Sequence, residues 1–134
     1  MYYQLFIHQD AKNDLEALWQ TDPTAAARVT LVLEQLAHDQ MLLDRLTQHD
    51  FGGPGGPGFH VSKWQEQWKQ GKDLWRLKIW DLDDCLLSYR IVYAFTPGAL
   101  RYNVLGIVPR NFNYDPNHPL SRRILAAYSV LSVL

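Results

Sequence analysis

The sequence predicts an α+β domain in which an N-terminal strand and a helical hairpin pack on a mostly antiparallel sheet. The sheet ends in a three-stranded meander and is followed by a C-terminal helix. Apolar residues repeat at helical spacing in the first third of the chain and again near its end. Between these regions, apolar and polar residues alternate as in strands, and the connections are short enough to force antiparallel pairing. This order places the helices on one face of the sheet.

Length and composition are those of one domain, spanning residues 1–134. The chain has 134 residues, of which 47% are hydrophobic and 20% charged, typical of a globular protein with a core of its own. The net charge of -1 gives no whole-molecule attraction to nucleic acid, although a local patch could still bind phosphate. No apolar run is long enough to span a membrane and no secretion signal is present, so we expect a cytoplasmic protein.

The single cysteine excludes some site classes. Cys85 has no second cysteine with which to form an internal disulfide or a cysteine-rich zinc site. It lies in an apolar stretch, and we expect a buried, inert thiol. The five histidines show no ligand spacing, so no metal site is predicted.

The N-terminal part carries clear start signals. Residues 2–7 are rich in aromatic and β-branched residues and predict a first strand. Asp10 is expected to cap a first helix, and Asp22 a second, with Pro23 in the first turn. We expect the second helix to reach about residue 43 and to form an antiparallel hairpin with the first.

The middle of the chain is harder to interpret. Residues 51–58 read Phe-Gly-Gly-Pro-Gly-Gly-Pro-Gly and predict a flexible loop within the domain. A phosphate cradle is the alternative, but the segment lacks the Lys-Ser/Thr ending of a P-loop. Residues 59–71 suit either a strand or a short helix. Trp64 and Trp68 are expected to cover the core on one side of the sheet, with a base-stacking platform as the alternative.

Residues 74–80, 85–95 and 100–108 predict the three strands of the meander. Strand alternation puts Arg76 and Lys78 on the face opposite the bulky apolar residues of the first of these strands, and Arg90 on the corresponding face of the second. Arg110 follows the third strand. These cations would form one local surface suited to phosphate.

The alternative is that they are solvated charges paired with nearby carboxylates. The candidates for such pairing are Asp81, Asp83, Asp84 and Asp115.

Residues 110–119 connect the last strand to a helix that is expected to begin at Pro119. The loop contains a guanidinium, a phenol, a carboxylate and an imidazole, from Arg110, Tyr114, Asp115 and His118. Loops held by a rigid scaffold often carry binding and catalytic residues. The segment Asp-Pro-Asn before His118 is expected to form a turn that directs this histidine.

The order of elements and three stretches of sequence resemble the RelE/ParE superfamily of bacterial toxins from type II toxin–antitoxin systems. The stretches are Leu74-Trp75-Arg76-Leu77-Lys78, Ser88-Tyr89-Arg90-Ile91-Val92-Tyr93 and residues 104–114, the last containing Arg110. The resemblance covers nearly the whole chain. It implies a toxin that cuts mRNA on the ribosome, stops translation and is neutralised by a cognate antitoxin.

The resemblance also implies roles for particular residues. In the RelE-like branch, cations of the first two meander strands hold the RNA backbone, a role that falls here to Arg76, Lys78 and Arg90. The family's arginine after the last strand matches Arg110, and a nearby aromatic residue or histidine matches Tyr114 or His118.

RNA cleavage requires proton transfer as well as phosphate binding. His118 or Asp115 could take the proton of the 2′-hydroxyl, and Tyr114 or His118 could give one to the leaving oxygen. The arginines would stabilise the transition state, so neither a metal nor a cofactor is expected.

The implied partners are the antitoxin, mRNA and the ribosome, with no membrane and with DNA reached only through the antitoxin. Two alternatives stay open. A ParE-like protein of this fold would inhibit DNA gyrase without cutting RNA, and a third possibility is a non-toxic interaction protein. The apolar tail, residues 130–134, is expected to pack onto the helical hairpin, with a partner contact as the alternative.

Overall fold

The structure is a computed structural model that describes residues 2–53, 55–112 and 114–131. Its elements in chain order are β1 (Gln4–Ile7), α1 (Gln9–Thr21), α2 (Pro23–Ala37), α3 (Gln40–Arg45), β2 (Phe59–Lys63), α4 (Gln65–Trp68), β3 (Leu74–Trp80), β4 (Leu86–Thr96), β5 (Arg101–Pro109) and α5 (Pro119–Leu131). The strands form one sheet in the order β1-β5-β4-β3-β2. β1 is parallel to β5, and the other neighbours are antiparallel. The predicted fold class is confirmed.

The helical hairpin begins as its capping signals require, with one difference. Asp22 caps α2 by accepting the N–H of Ala25 at 3.2 Å, as predicted. The cap of α1 is His8 and not Asp10, because the His8 ring nitrogen Nδ1 accepts the N–H of Asp10 at 3.0 Å. Asp10 lies instead in the first turn, where its negative charge complements the helix dipole.

The second helix is shorter than expected. It ends at Ala37, and a separate helix, α3, follows it. Asp39 accounts for the break, because its carboxylate accepts the N–H of Leu42 at 3.1 Å and so caps a new helix in place of continuing the old one. The expectation of one helix to residue 43 was therefore wrong.

The sheet is covered on both faces. One cluster joins the buried residues of α1 and α2 to strand residues such as Trp75 and Tyr93. A second cluster joins Ile124 of α5 to Leu74 of β3 and Val92 of β4. The side chains of Leu74 and Val92 lie on the sheet face opposite those of Trp75 and Tyr93. The expectation that every helix lies on one face was wrong for α5.

Gly106 allows the close approach of α5. A Cβ atom at this position would lie 3.3 Å from the Ile124 side chain, tighter than ordinary packing. A glycine inside a strand often marks such a contact.

The ambiguous stretch 59–71 contains both a strand and a short helix, β2 and α4. Trp64 is buried in the second cluster, and the half-buried Trp68 packs edge-on against Trp75 with 5.3 Å between ring centroids. Core cover is confirmed for both tryptophans, but the expectation that they cover one side of the sheet was wrong, because they pack in different clusters on opposite faces.

Cys85 is exposed, so the expectation of a buried thiol was wrong. It lies in the turn before β4 and not inside the strand. The Asp81 carboxylate holds this turn by accepting the N–H groups of Asp83, at 2.9 Å, and of Cys85, at 3.1 Å.

The C-terminal helix begins at Pro119, as predicted. Within the apolar tail, Val130 is exposed and Leu131 packs against the second cluster, not against the helical hairpin. Residues 132–134 lie outside the described residues. Across the described ranges, no helix is long and apolar enough to cross a membrane.

Candidate functional site

Four cations predicted from the sequence come together on one face of the sheet. Lys78 and Arg90 are directly opposite each other on β3 and β4, and Arg76 lies two residues along β3 on the same face. Arg110 follows β5, where its backbone N–H donates to the carbonyl of Ser88 at 2.6 Å. We call Arg76, Lys78, Arg90 and Arg110 the cationic cluster.

The lowered pKa of Lys78 is consistent with the closeness of the four cations to one another. Burial lowers this pKa most, and the positive charges of Arg90, Arg76 and Arg110 lower it further. Like charges directly opposite each other on neighbouring strands destabilise a sheet. The fold therefore holds these side chains together against their repulsion.

The cluster is not neutralised by the carboxylates proposed as its alternative partners. Among the residues that the structure describes, no ion pair within 4 Å joins any of the four cations to a carboxylate. Asp81, one of those candidates, is engaged in the turn before β4. An unneutralised group of this kind is suited to a polyanion.

A cleft of about 500 Å³ opens beside Arg110 at the ends of β4 and β5. Its lining consists of Ser88, Tyr89, Pro109, Arg110 and Asn111. The cleft combines a guanidinium with an aromatic ring and polar groups. It has the size of a small-ligand site and adjoins the cluster through Arg110.

Tyr114 is joined to the cluster through Arg76. The Arg76 guanidinium lies over the Tyr114 ring, 4.9 Å from its centroid, and its Nε donates to Ser62 Oγ at 3.0 Å. The same ring packs against Trp64 and Phe112 with centroid separations of 5.2 and 4.7 Å. Tyr114 therefore fixes the position of Arg76.

The Tyr114 hydroxyl is buried and has no hydrogen-bond partner within the described residues. Tyr114 also has a φ of 59°, a left-handed conformation that costs a non-glycine residue about 1–3 kcal/mol. Proton transfer from this hydroxyl requires that a substrate or a water molecule reach it.

The turn expected before His118 is present. The Asp115 carboxylate accepts the N–H of Asn117 at 2.9 Å, and the Asp115 carbonyl accepts the N–H of His118 at 2.9 Å. His118 in turn caps α5, because its Nδ1 accepts the N–H of Leu120 at 3.0 Å. The cap leaves Nε2 as the atom of His118 that could exchange a proton with a substrate.

The structure does not place His118 directly in the cationic cluster. Its ring packs on Phe112 with 5.0 Å between centroids, and Phe112 packs on Tyr114. His118 is thus connected to Arg76 through two aromatic rings. Replacing His118 by alanine would remove the helix cap as well as the imidazole, whereas asparagine is itself a good cap.

Two groups on the same face were not predicted from the sequence. His60 of β2 is the register partner of Lys78, so His60, Lys78 and Arg90 form one row across three strands. The Asp50 carboxylate is 3.3 Å from His60 Nε2. With residues 59–63 as a strand, alternation puts His60 on the face opposite the buried Phe59 and Val61, which is the sequence signal for this position.

Replacement of Lys78 by methionine is expected to stabilise the fold by about 0.5–1 kcal/mol at pH 7 and low salt, a small value because the half-buried side chain keeps contact with solvent, which screens the repulsion. A lysine with a lowered pKa binds its proton less tightly in the folded than in the unfolded chain. Wild-type stability should therefore rise with pH between that lowered pKa and the ordinary value of 10.5. Urea unfolding of both proteins measures the difference.

The gain should shrink in high salt, which screens the repulsion within the cluster, and at pH values above the ordinary pKa of lysine. Lys12→Met, at an exposed position on α1, is the control and should not change stability in this way. Lower stability of Lys78→Met at low salt would contradict the repulsion inferred for the cluster.

Comparison with known proteins gives one structural likeness. No protein-family model and no curated protein sequence matches this chain. Among solved structures, the chain is similar to one described as the archaeal RelE–RelB complex from Pyrococcus horikoshii OT3, with a TM-score of 0.45 and 17% sequence identity. The alignment covers 84% of this chain and 99% of that chain. A likeness at this level does not establish function, which has to come from the residues of the site.

Proposed function

We propose that this protein is the toxin of a type II toxin–antitoxin pair and acts as a metal-independent endoribonuclease that cleaves mRNA on the ribosome. The observation that carries the proposal is the cationic cluster. Its four side chains lie on one sheet face beside Tyr114 and His60. In the described part of the chain, none of these four cations forms an ion pair with a carboxylate within 4 Å. The phosphates of an RNA backbone would supply the negative charge that balances these cations.

In this mechanism the cluster binds phosphates and stabilises the transition state. Arg76, Lys78 and Arg90 hold the backbone on either side of the scissile bond. The 2′-oxygen attacks phosphorus and the bond from phosphorus to the 5′-oxygen breaks, which leaves a 2′,3′-cyclic phosphate and a 5′-hydroxyl. Arg110 neutralises the charge that develops on the phosphoryl oxygens, an effect worth about 10²–10³ in rate when such a donor is removed.

The loop after β5 supplies the proton-transfer groups of the proposal. His118, through Nε2, or Asp115 accepts the proton of the 2′-hydroxyl. Tyr114 or His118 is the donor to the leaving oxygen in the scheme predicted from the sequence. The cap of α5 and the turn at Asp115 support this arrangement because they fix the orientation of the imidazole.

The proposal includes a cognate antitoxin. The solved complex named above pairs RelE with RelB. For this chain we propose a partner that places a helix or strand across exposed apolar area or across the cationic cluster, and so blocks access of RNA. Contact with DNA would then occur only through the antitoxin.

An assay with purified components tests the proposal. The protein is mixed with ribosomes carrying a short mRNA, and separately with DNA gyrase and relaxed plasmid. We expect cleaved mRNA with 2′,3′-cyclic phosphate ends and unchanged supercoiling. Intact mRNA with inhibited supercoiling would favour the ParE-like alternative, and no effect in either assay would favour a non-toxic interaction protein.

A further inference from the structure

The row that His60 shares with Lys78 and Arg90 places an imidazole next to the cationic cluster. The pKa of Lys78 responds to the positive charge of Arg110 and, in the opposite sense, to the negative charge of Asp50. In the sheet, His60 of β2 lies on one side of Lys78, and β4 followed by β5, which leads to Arg110, lies on the other. A phosphate held over Lys78 would have Arg110 on one side and the pair Asp50 and His60 on the other.

The two ring nitrogens of His60 both face oxygen acceptors. Nδ1 is 3.1 Å from the carbonyl oxygen of Gly52, and Nε2 is 3.3 Å from Oδ1 of Asp50. A neutral imidazole has one N–H and can satisfy only one of these acceptors, whereas the imidazolium donates to both. Both ring nitrogens of His60 are therefore placed to act as donors.

His49 contacts the same carboxylate in a different way. Its Nδ1 accepts the backbone N–H of Lys63 at 3.0 Å, and its Nε2 is 3.5 Å from Oδ2 of Asp50. A neutral ring with its proton on Nε2 satisfies both contacts. Of these two histidines, the one in the row with Lys78 is the one that faces an acceptor with each ring nitrogen.

The backbone fixes the position of Asp50 and of the Gly52 carbonyl. The Asp50 N–H donates to the Val61 carbonyl, and the Val61 N–H donates to the Phe51 carbonyl, both at 2.8 Å. Gly52 then forms a bridge with His60. Gly52 has a φ of +93°, and a Cβ atom there would lie 2.1 Å from the Phe59 carbonyl oxygen, so this position requires glycine.

We propose that His60, in place of Tyr114 or His118, is the general acid of the site and gives its Nε2 proton to the leaving 5′-oxygen. The inference rests on the proposed RNA cleavage. As the bond from phosphorus to the 5′-oxygen breaks, that oxygen takes the proton, and the 2′-hydroxyl proton passes to His118 or Asp115. The neutral His60 ring keeps its Nδ1 hydrogen bond to Gly52 and is reprotonated by water.

Asp50 orients the His60 ring and still leaves Nε2 accessible to a substrate. Its side chain is 70% exposed, against 27% for His60, and its contact with Nε2 is long. An incoming phosphodiester can therefore take the place of the carboxylate at Nε2. The charged groups that face His60 are Asp50 on one side and Lys78, with Arg90 behind it, on the other. His49 shares the Asp50 carboxylate.

A sulfur substitution in the substrate isolates this step. The probe is a short RNA, used free or on the ribosome, in which sulfur replaces the 5′-oxygen of the scissile bond. A thiolate leaves without protonation, whereas an alkoxide needs an acid. We expect His60→Gln to lose about 100-fold or more on the oxygen substrate, the range of general acid catalysis, and to cleave the sulfur substrate nearly as fast as wild type. His49→Gln, the matched control, should cleave both as wild type does.

The wild-type protein gives a second readout that does not depend on folding of a variant. Its rate on the oxygen substrate should fall at high pH as the acid loses its proton, and the rate on the sulfur substrate should not show that fall. Equal losses of folded His60→Gln on both substrates, unchanged cleavage of both, or identical wild-type pH profiles would overturn the role of His60. If wild type cleaves neither RNA, the proposed function itself has failed.

Discussion

Arg110→Ala is expected to reduce RNA cleavage by about 10²–10³-fold, the usual effect of removing a donor that stabilises charge in a transition state. Arg110 follows β5 at the edge of the cleft, and its charge reaches Lys78. Its backbone N–H, which bonds to Ser88, is retained in alanine. The side chain is exposed and lies among like charges. Stability should therefore be unchanged or slightly raised.

Cleavage of ribosome-bound mRNA and recovery of growth after induction are the measurements, with thermal unfolding to confirm the fold. Arg122→Ala, an exposed arginine on α5, is the control for a simple loss of charge and should remain fully active. Arg110→Lys keeps the charge but loses the planar, two-pronged donor, so it should recover only part of the rate. Full activity of Arg110→Ala would remove this residue from the site.

The sheet and its cationic face could be predicted because alternation is a local property. Arg76, Lys78 and Arg90 are assigned to one face by the period of two along each strand, whatever surrounds them. Their neighbours across the sheet depend on register, which the alternation leaves open to a shift of two residues. The structure shows that Lys78 is paired with Arg90, and this pairing could not be predicted from the alternation of residues alone.

Elements whose placement depends on the tertiary structure were not predictable in the same way. The apolar stripe of α5 shows that one side of the helix is buried, but not on which face of the sheet it packs. Gly106, where a side chain would crowd Ile124, is compatible with the observed face and is one glycine among eight in the sequence. The end of α2 at Ala37 is equally hard to predict, because it depends on the hydrogen bond by which the Asp39 side chain caps a new helix.

In the candidate site, too, the residue types could be predicted from the sequence, whereas their contacts could not. The sequence indicates which side chains in residues 110–119 can transfer protons, but the Nδ1 atom of His118 is used as a helix cap and the Tyr114 hydroxyl is buried. His60 is not assigned to the face of the cationic cluster by the sequence, because residues 59–71 suit two secondary structures. Its relation to Asp50 depends on contacts between residues ten apart, through a segment whose Gly and Pro content gives no periodicity.

Asp14→Ala is expected to cost about 2–3 kcal/mol of stability, because the carboxylate satisfies a strand N–H and a partly buried arginine at once. Asp14 Oδ2 accepts the N–H of Ile107 at 3.0 Å, on the part of β5 that lies beyond the end of β1. The same carboxylate binds both terminal nitrogens of Arg123, at 2.9 and 2.5 Å. One aspartate thus joins α1, β5 and α5.

Urea unfolding should show this loss for Asp14→Ala and a smaller one for Asp14→Asn, which can still accept the N–H of Ile107. Asp10→Ala is the control, because Asp10 is 3.9 Å from the Arg123 Nε and makes a weaker contact. The contacts of Asp14 should also affect the position of the site loop, since residues 110–118 run between β5 and α5. We therefore expect Asp14→Asn to lower cleavage more than its stability implies, whereas a fully active Asp14→Asn would show that the loop is positioned by Phe112 and its neighbours alone.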